Sequence, residues 1–75
     1  MELGIFIDNF KNQLEDSNID ITEHTPYRDL AEWDSLTTML VIGMVMTEYN
    51  VEITTTIIDK CSTISELFEY IISSK

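Results

Sequence analysis

The stretch Thr63-Ile64-Ser65-Glu66-Leu67-Phe68-Glu69-Tyr70-Ile71-Ile72 contains the clearest structural signal in the sequence. Thr63 followed three residues later by Glu66 is a capping box, in which each side chain accepts a hydrogen bond from a free amide at a helix start. Apolar side chains then return every three or four residues, which is the spacing of one helical face. They are Ile64, Leu67, Phe68, Ile71 and Ile72. The stretch predicts a C-terminal helix with one buried stripe.

The same helical spacing occurs near the N-terminus and in the middle of the chain. The first stripe, which we expect to end at Ser17-Asn18, consists of Leu3, Phe6, Ile7, Phe10 and Leu14. A second helix is predicted from Asp34 or Ser35 to Tyr49, followed by Asn50 as a left-handed cap. A short turn or helix is predicted around residues 55–58.

A long connection containing Pro26 joins the first two helices. Ile19 and Ile21 alternate there with polar residues, which locally favours a short strand, but no other segment offers a partner strand. We therefore expect both isoleucines to fill a helical core from the loop. The sequence predicts an all-α fold: a small four-helix bundle of three main helices and one short helix, with a long loop between the first and second. One domain, residues 1–75, is expected at this length.

The charge balance excludes several classes of protein. The 75 residues carry 14 Asp and Glu against 4 Lys and Arg, for a net charge of −10. Such a chain is repelled by nucleic acid and by anionic membranes. It is nevertheless 44% hydrophobic, which is too apolar for a disordered acidic segment. We expect a folded acidic domain with basic partners, and most of the charge, −7, falls on residues 1–34.

The sequence contains no disulfide framework, signal peptide or membrane span. Cys61 is the only cysteine, so no internal disulfide can form. The N-terminus lacks the basic region of a signal peptide, and the longest apolar run, residues 39–46, is far shorter than the roughly 20 residues of a membrane span. We expect a soluble, cytoplasmic monomer with no membrane span.

Residues for catalysis or metal binding are sparse. His24 is the only histidine, and one histidine with one cysteine cannot supply the four ligands of a zinc site. With two glycines in the whole chain, no glycine-rich phosphate loop is possible. The sequence predicts neither an enzyme nor a metal site.

One short segment, Glu32-Trp33-Asp34-Ser35-Leu36, stands at the junction of the long loop and the second helix. A phosphate attached to a serine at a helix N-terminus is favoured by the free amides and the positive end of the helix dipole. The alternative is that Asp34 or Ser35 simply caps the helix, and spacing alone favours this plainer interpretation.

In its context, the segment resembles that of an acyl carrier protein. The resemblance rests on the small acidic helical domain, the long first loop and the Asp34-Ser35-Leu36 sequence that opens the second helix. It extends over the whole chain, because residues 48–53 resemble the end of the family's second helix and residues 63–71 its fourth. The form Trp33-Asp34-Ser35-Leu36 is similar to that of stand-alone carriers of specialised pathways.

The resemblance implies a function and a cofactor. Ser35 would carry a 4'-phosphopantetheine arm, attached by a phosphopantetheinyl transferase, and Asp34 and Leu36 would be flanking recognition residues. The arm would hold acyl intermediates as thioesters for acyl-loading, ketosynthase or acyltransferase-type enzymes of a fatty-acid-like or polyketide-type pathway. Partner enzymes would supply the catalysis.

Two alternatives remain open on the sequence. The chain could be an aminoacyl or peptidyl carrier loaded by an adenylating enzyme, with the same chemistry at Ser35. It could instead be an acidic protein-interaction domain with no prosthetic group.

The second helix departs from the family pattern, because residues 35–46 contain no carboxylate. One interpretation is an apolar docking surface with adaptable methionines, flanked by acidic residues. Its predicted members are Leu36, Leu40, Met44, Glu32 and Glu48, with Met46 at its margin. The other interpretation is a wide core stripe in which Val41, Val45 and Tyr49 point inward.

Overall fold

The computed structural model describes residues 2–14, 20–31 and 33–74, and within these ranges it contains four α-helices and no strand. The helices are α1, Glu2–Lys11; α2, Ser35–Tyr49; α3, Thr55–Lys60; and α4, Ile64–Ser73. A 3-10 turn, Tyr27–Asp29, lies in the long loop between α1 and α2. The predicted all-α bundle of three main helices and one short helix is confirmed.

Helix α1 ends earlier than its apolar stripe. After Lys11 the backbone continues in turns, with the Asn12 amide donating to the Asp8 carbonyl and the Leu14 amide to the Lys11 carbonyl. Leu14 is nevertheless buried in the core. The prediction that this helix continues to residues 17–18 is wrong, because α1 ends at Lys11. The predicted core residue at position 19 lies outside the described residues.

The ends of α2 and α4 follow the local sequence signals. Asn50 has φ 56° and ψ 37°, and its amide donates to the Met46 carbonyl, which confirms the left-handed cap of α2. At the start of α4, the Glu66 amide donates to the Thr63 hydroxyl at 3.3 Å. The Glu66 carboxylate accepts from the Ser62 amide, one residue before the expected position.

The long loop contributes to the start of α4. The Ile64 amide donates to the Thr25 carbonyl at 3.3 Å, and the Ser65 amide donates to the Glu23 carbonyl at 2.8 Å. Free amides at a helix start need acceptors, and here backbone carbonyls of the loop provide two of them. These bonds tie the loop to the last helix.

Buried apolar side chains from all four helices and the loop form one core. They are Phe6, Phe10, Leu14, Ile21, Tyr27, Val41, Met44, Val45, Val51, Ile53, Ile58, Ile64, Leu67 and Ile71. Ile21 confirms that a loop isoleucine fills the helical core. Cys61, which is half-buried, packs against this core, and burial raises the pKa of its thiol.

Candidate functional site

The functional site predicted from the sequence lies at the start of α2. Asp34 has extended backbone angles and caps the helix, because its carboxylate accepts a hydrogen bond from the Thr37 amide at 2.8 Å. The Thr37 hydroxyl donates to the same carboxylate oxygen at 3.0 Å. These two hydrogen bonds, the one from the Thr37 amide more than the one from the Thr37 hydroxyl, hold the pKa of Asp34 below its usual range. The cap is therefore ionised near neutral pH.

Ser35 is the first residue of α2, and its side chain is exposed. Leu36 follows with 64% of its surface exposed. The first turn of α2 contains no acidic residue after the cap. A phosphate ester on the Ser35 hydroxyl would thus lie at the positive end of a 15-residue helix.

Two hollows flank this junction, and both include Trp33 and Asp34. The first, of about 270 Å³, is completed by Gln13, Ala31, Leu36, Thr37 and Leu40. The second, of about 360 Å³, lies toward α3 and is completed by Ser35, Thr38, Met39, Thr55 and Asp59. The ionisable side chains among these lining residues are the carboxylates of Asp34 and Asp59.

Comparison with protein families identifies the family of this chain. A family model described as "phosphopantetheine attachment site" matches residues 6–71, which is nearly the whole chain. The chain belongs to this family of phosphopantetheine-binding carriers. Comparisons with curated proteins and with solved structures found no match.

Carriers of this family hold a covalently attached 4'-phosphopantetheine and are generally not catalytic themselves. The residues at the start of α2 fit such a group, since an exposed hydroxyl stands at a capped helix start next to open space. When attached, the group supplies a terminal thiol that holds the carried molecule as a thioester. In this chain, the Ser35 side chain is exposed and Asp34 caps the helix start through the Thr37 amide.

The outer surface of α2 in this carrier is apolar, as one interpretation of the sequence predicted. Leu40 is 43% exposed, Met39 60% and Met46 47%. Met39 was not among the predicted docking residues. It lies between Leu36 and Leu40 in the sequence and belongs to the same exposed face of α2.

Met44 was predicted to lie on the docking surface, and this placement is wrong. Its side chain is 6% exposed and belongs to the core beside Val41 and Val45. Thr37 is also buried, and positions 37, 41, 44 and 45 form one helical face. Because Thr37 is polar, the sequence did not identify it as the start of this face.

The two predicted acidic docking residues have different outcomes. Glu48, near the end of α2, is exposed, so its role in docking stays a prediction. Glu32 lies outside the described residues.

Other classes of site are not indicated in the part of the chain that is described. Within residues 2–14, 20–31 and 33–74, no three histidine, cysteine or carboxylate side chains are grouped so that they could hold a metal ion. His24 is exposed, with Nε2 3.5 Å from the Glu23 carboxylate. None of the described helices has the length and apolar character required to cross a membrane.

Proposed function

We infer that Ser35 is the attachment residue of a discrete acyl carrier that serves a fatty-acid-like or specialised, polyketide-type pathway. The observation that carries this proposal is the exposed Ser35 side chain at the first position of α2, directly after the Asp34 cap. The family match over residues 6–71 supports a phosphopantetheine group on this chain. The Asp34-Ser35-Leu36 sequence supports its position.

Attachment requires a separate transferase and coenzyme A. The Ser35 oxygen forms a new bond to the phosphorus of the pantetheine phosphate, and the bond from that phosphorus to the adenosine bisphosphate breaks. The hydroxyl proton passes to a base of the transferase.

The apolar outer surface of α2 is proposed as the place where partner enzymes dock. Leu36 and Leu40 are one turn apart and line the same hollow. Exposed apolar side chains this close together are typical of protein interfaces. With a net charge of −10 on the chain, a partner with an apolar centre and a basic rim fits this surface, and Glu48 is an exposed acidic candidate for the rim.

Intact-mass spectrometry tests the attachment site. The purified chain is incubated with coenzyme A, magnesium and a broad-specificity phosphopantetheinyl transferase, and we expect the mass of one phosphopantetheinyl group to be added. Ser35→Ala should stay unmodified. Ser62→Ala, at another exposed serine near a helix start, should be modified like the wild type. A folded wild type that gains no mass would refute the proposal.

The choice between acyl and aminoacyl cargo needs a second measurement. The chain is isolated from the cells that make it, and hydroxylamine is used to release any thioester-bound cargo for mass spectrometry. A hydroxamate without an α-amino group supports the acyl carrier. A hydroxamate with an α-amino group would show instead that the chain is an aminoacyl carrier.

A further inference from the structure

Trp33, two residues before Ser35, packs against aromatic rings from two other parts of the fold. Its ring lies parallel to that of Phe10 on α1, with an interplanar angle of 6° and centroids 5.9 Å apart. It also lies tilted against Tyr27, at a centroid distance of 5.1 Å. Phe10 and Tyr27 contact each other at 5.7 Å, which closes a three-ring cluster. These distances lie in the favourable range for aromatic pairs.

Trp33 comes directly before Asp34, the cap of α2. A large apolar residue just before a helix cap often contacts the fourth residue of that helix, which fixes the angle at which the chain enters. Here the fourth residue is Thr38, and its hydroxyl donates to the Asp34 carbonyl at 3.1 Å. The indole packs across the bundle on Phe10 of α1 and Tyr27 of the loop, so the start of α2 is linked to both of these parts of the fold.

Tyr27 extends this cluster to the end of α3. Its ring is fully buried, and its hydroxyl is within hydrogen-bond distance of the carbonyl oxygens of Ile58 and Cys61. The Arg28 guanidinium also donates to the Cys61 carbonyl, at 3.2 Å. The segment before Ser35 is therefore linked through Trp33 and Tyr27 to both α1 and α3.

Trp33 also borders the space that a partner would occupy. It contributes to both hollows, the one with Leu36 and Leu40 and the one with Ser35 and Met39. An enzyme that binds the start of α2 must fit the backbone conformation of residues 33–36, to which the packing of Trp33 contributes.

We propose that Trp33 is a positioning residue for the modification of Ser35. Through its stack with Phe10 and Tyr27, it holds the Asp34-Ser35-Leu36 junction in the conformation that the phosphopantetheinyl transferase binds. This inference rests on the proposed function of Ser35. Without the stack, only a fraction of the carrier is in the competent conformation. The apparent affinity of the transferase for the carrier then falls in proportion to the competent fraction, while the rate of the chemical step is unchanged.

The test compares Trp33→Leu, which keeps an apolar side chain but loses the flat ring, with Trp33→Phe, which keeps a ring for the stack. Ile71→Val, in the core on α4, is the control for general destabilisation. Transferase kinetics are measured at a temperature at which circular dichroism shows equal helix content in all variants. We expect the KM for the Trp33→Leu carrier to rise about threefold or more with kcat unchanged, and Trp33→Phe to restore it. Ile71→Val should keep the wild-type KM.

Amide hydrogen exchange provides a readout that does not depend on modification. The Thr37 amide donates to Asp34 at the start of α2, and the Glu66 amide donates to Thr63 at the start of α4. Trp33→Leu should accelerate exchange at Thr37 more than at Glu66, whereas Ile71→Val should show no such preference. An unchanged KM, or a KM change reproduced by Ile71→Val, would overturn the proposal, as would unchanged exchange at Thr37. If the wild type itself is not modified, the proposed function fails, and the exchange result alone decides whether Trp33 holds the junction.

Discussion

Helices α2 and α4 have the same average apolar character but distribute it differently. In α4 the apolar residues concentrate on one face, and Ile64, Leu67 and Ile71 are buried. In α2 they surround the helix, so that one face packs in the core while Leu36, Met39 and Leu40 remain exposed. The difference shows that equal hydrophobicity supports two roles: α4 is a structural helix, and α2 has a core face and an outer apolar face.

The largest difference in stability should appear when one leucine on each helix is replaced by alanine. Leu67→Ala in α4 should lower the free energy of unfolding by about 2–5 kcal/mol, because it leaves a cavity at a fully buried position. Leu36→Ala in α2 should change it by no more than about 0.5 kcal/mol. Urea denaturation followed by circular dichroism measures both. Similar losses for the two variants would contradict the assignment of Leu36 to an outer face.

A charge on the outer face of α2 separates docking from stability. Leu40→Glu in the modified carrier should lower kcat/KM of a partner enzyme about tenfold, which corresponds to about 1.4 kcal/mol of lost interaction. Its unfolding free energy should change little, because Leu40 lies on the outer face of α2 with 43% of its surface exposed. Thr47→Glu adds the same charge at another exposed position of α2 and should leave turnover near wild type. A large fall in melting temperature for Leu40→Glu would place Leu40 in the core instead.

The two helices also begin with different caps. Thr63→Ala removes the hydroxyl that accepts from the Glu66 amide and should cost about 1 kcal/mol of stability. Ser62→Ala keeps the backbone amide that donates to Glu66, so thermal unfolding should be close to wild type. Equal melting temperatures for Thr63→Ala and Ser62→Ala would show that the Thr63 hydroxyl contributes nothing to the cap of α4.

The cap of α2 is charged, so its contribution should depend on pH. The folded-state pKa of Asp34 lies below the unfolded value of about 3.9. Its stabilising contribution is therefore present above about pH 4 and is lost as pH falls through the folded-state pKa. The stability difference between wild type and Asp34→Asn, measured by urea denaturation from neutral to acidic pH, should shrink in this range. A pH-independent difference would show that the Asp34 charge contributes nothing to the cap.

Much of the fold was predictable because its signals are local. The capping pair Thr63 and Glu66 and the left-handed Asn50 depend on bonds within a few residues, and the structure confirms both helix ends. The hydrogen bonds from the start of α4 to the carbonyls of Glu23 and Thr25 join residues that are distant in the sequence. Local spacing carries no information about them.

The candidate site was predictable in position and less so in its surroundings. Ser35 opens α2 and Asp34 caps it, as the sequence indicated. Met44 was placed on the wrong face, because a helix that is apolar nearly all round has no periodicity to orient it. The packing of Trp33 was also missed, since its partners Phe10 and Tyr27 are distant in the sequence.

By itself, the sequence determined the all-α class, the start and end of α2, and the family to which the carrier belongs. These features follow from short-range hydrogen bonding, helical spacing and a short motif. Only the tertiary structure decided which face of α2 is buried and how the segment before Ser35 is held. Those outcomes depend on side chains that α1, the loop and α3 bring together, and such contacts exist only once the chain has folded.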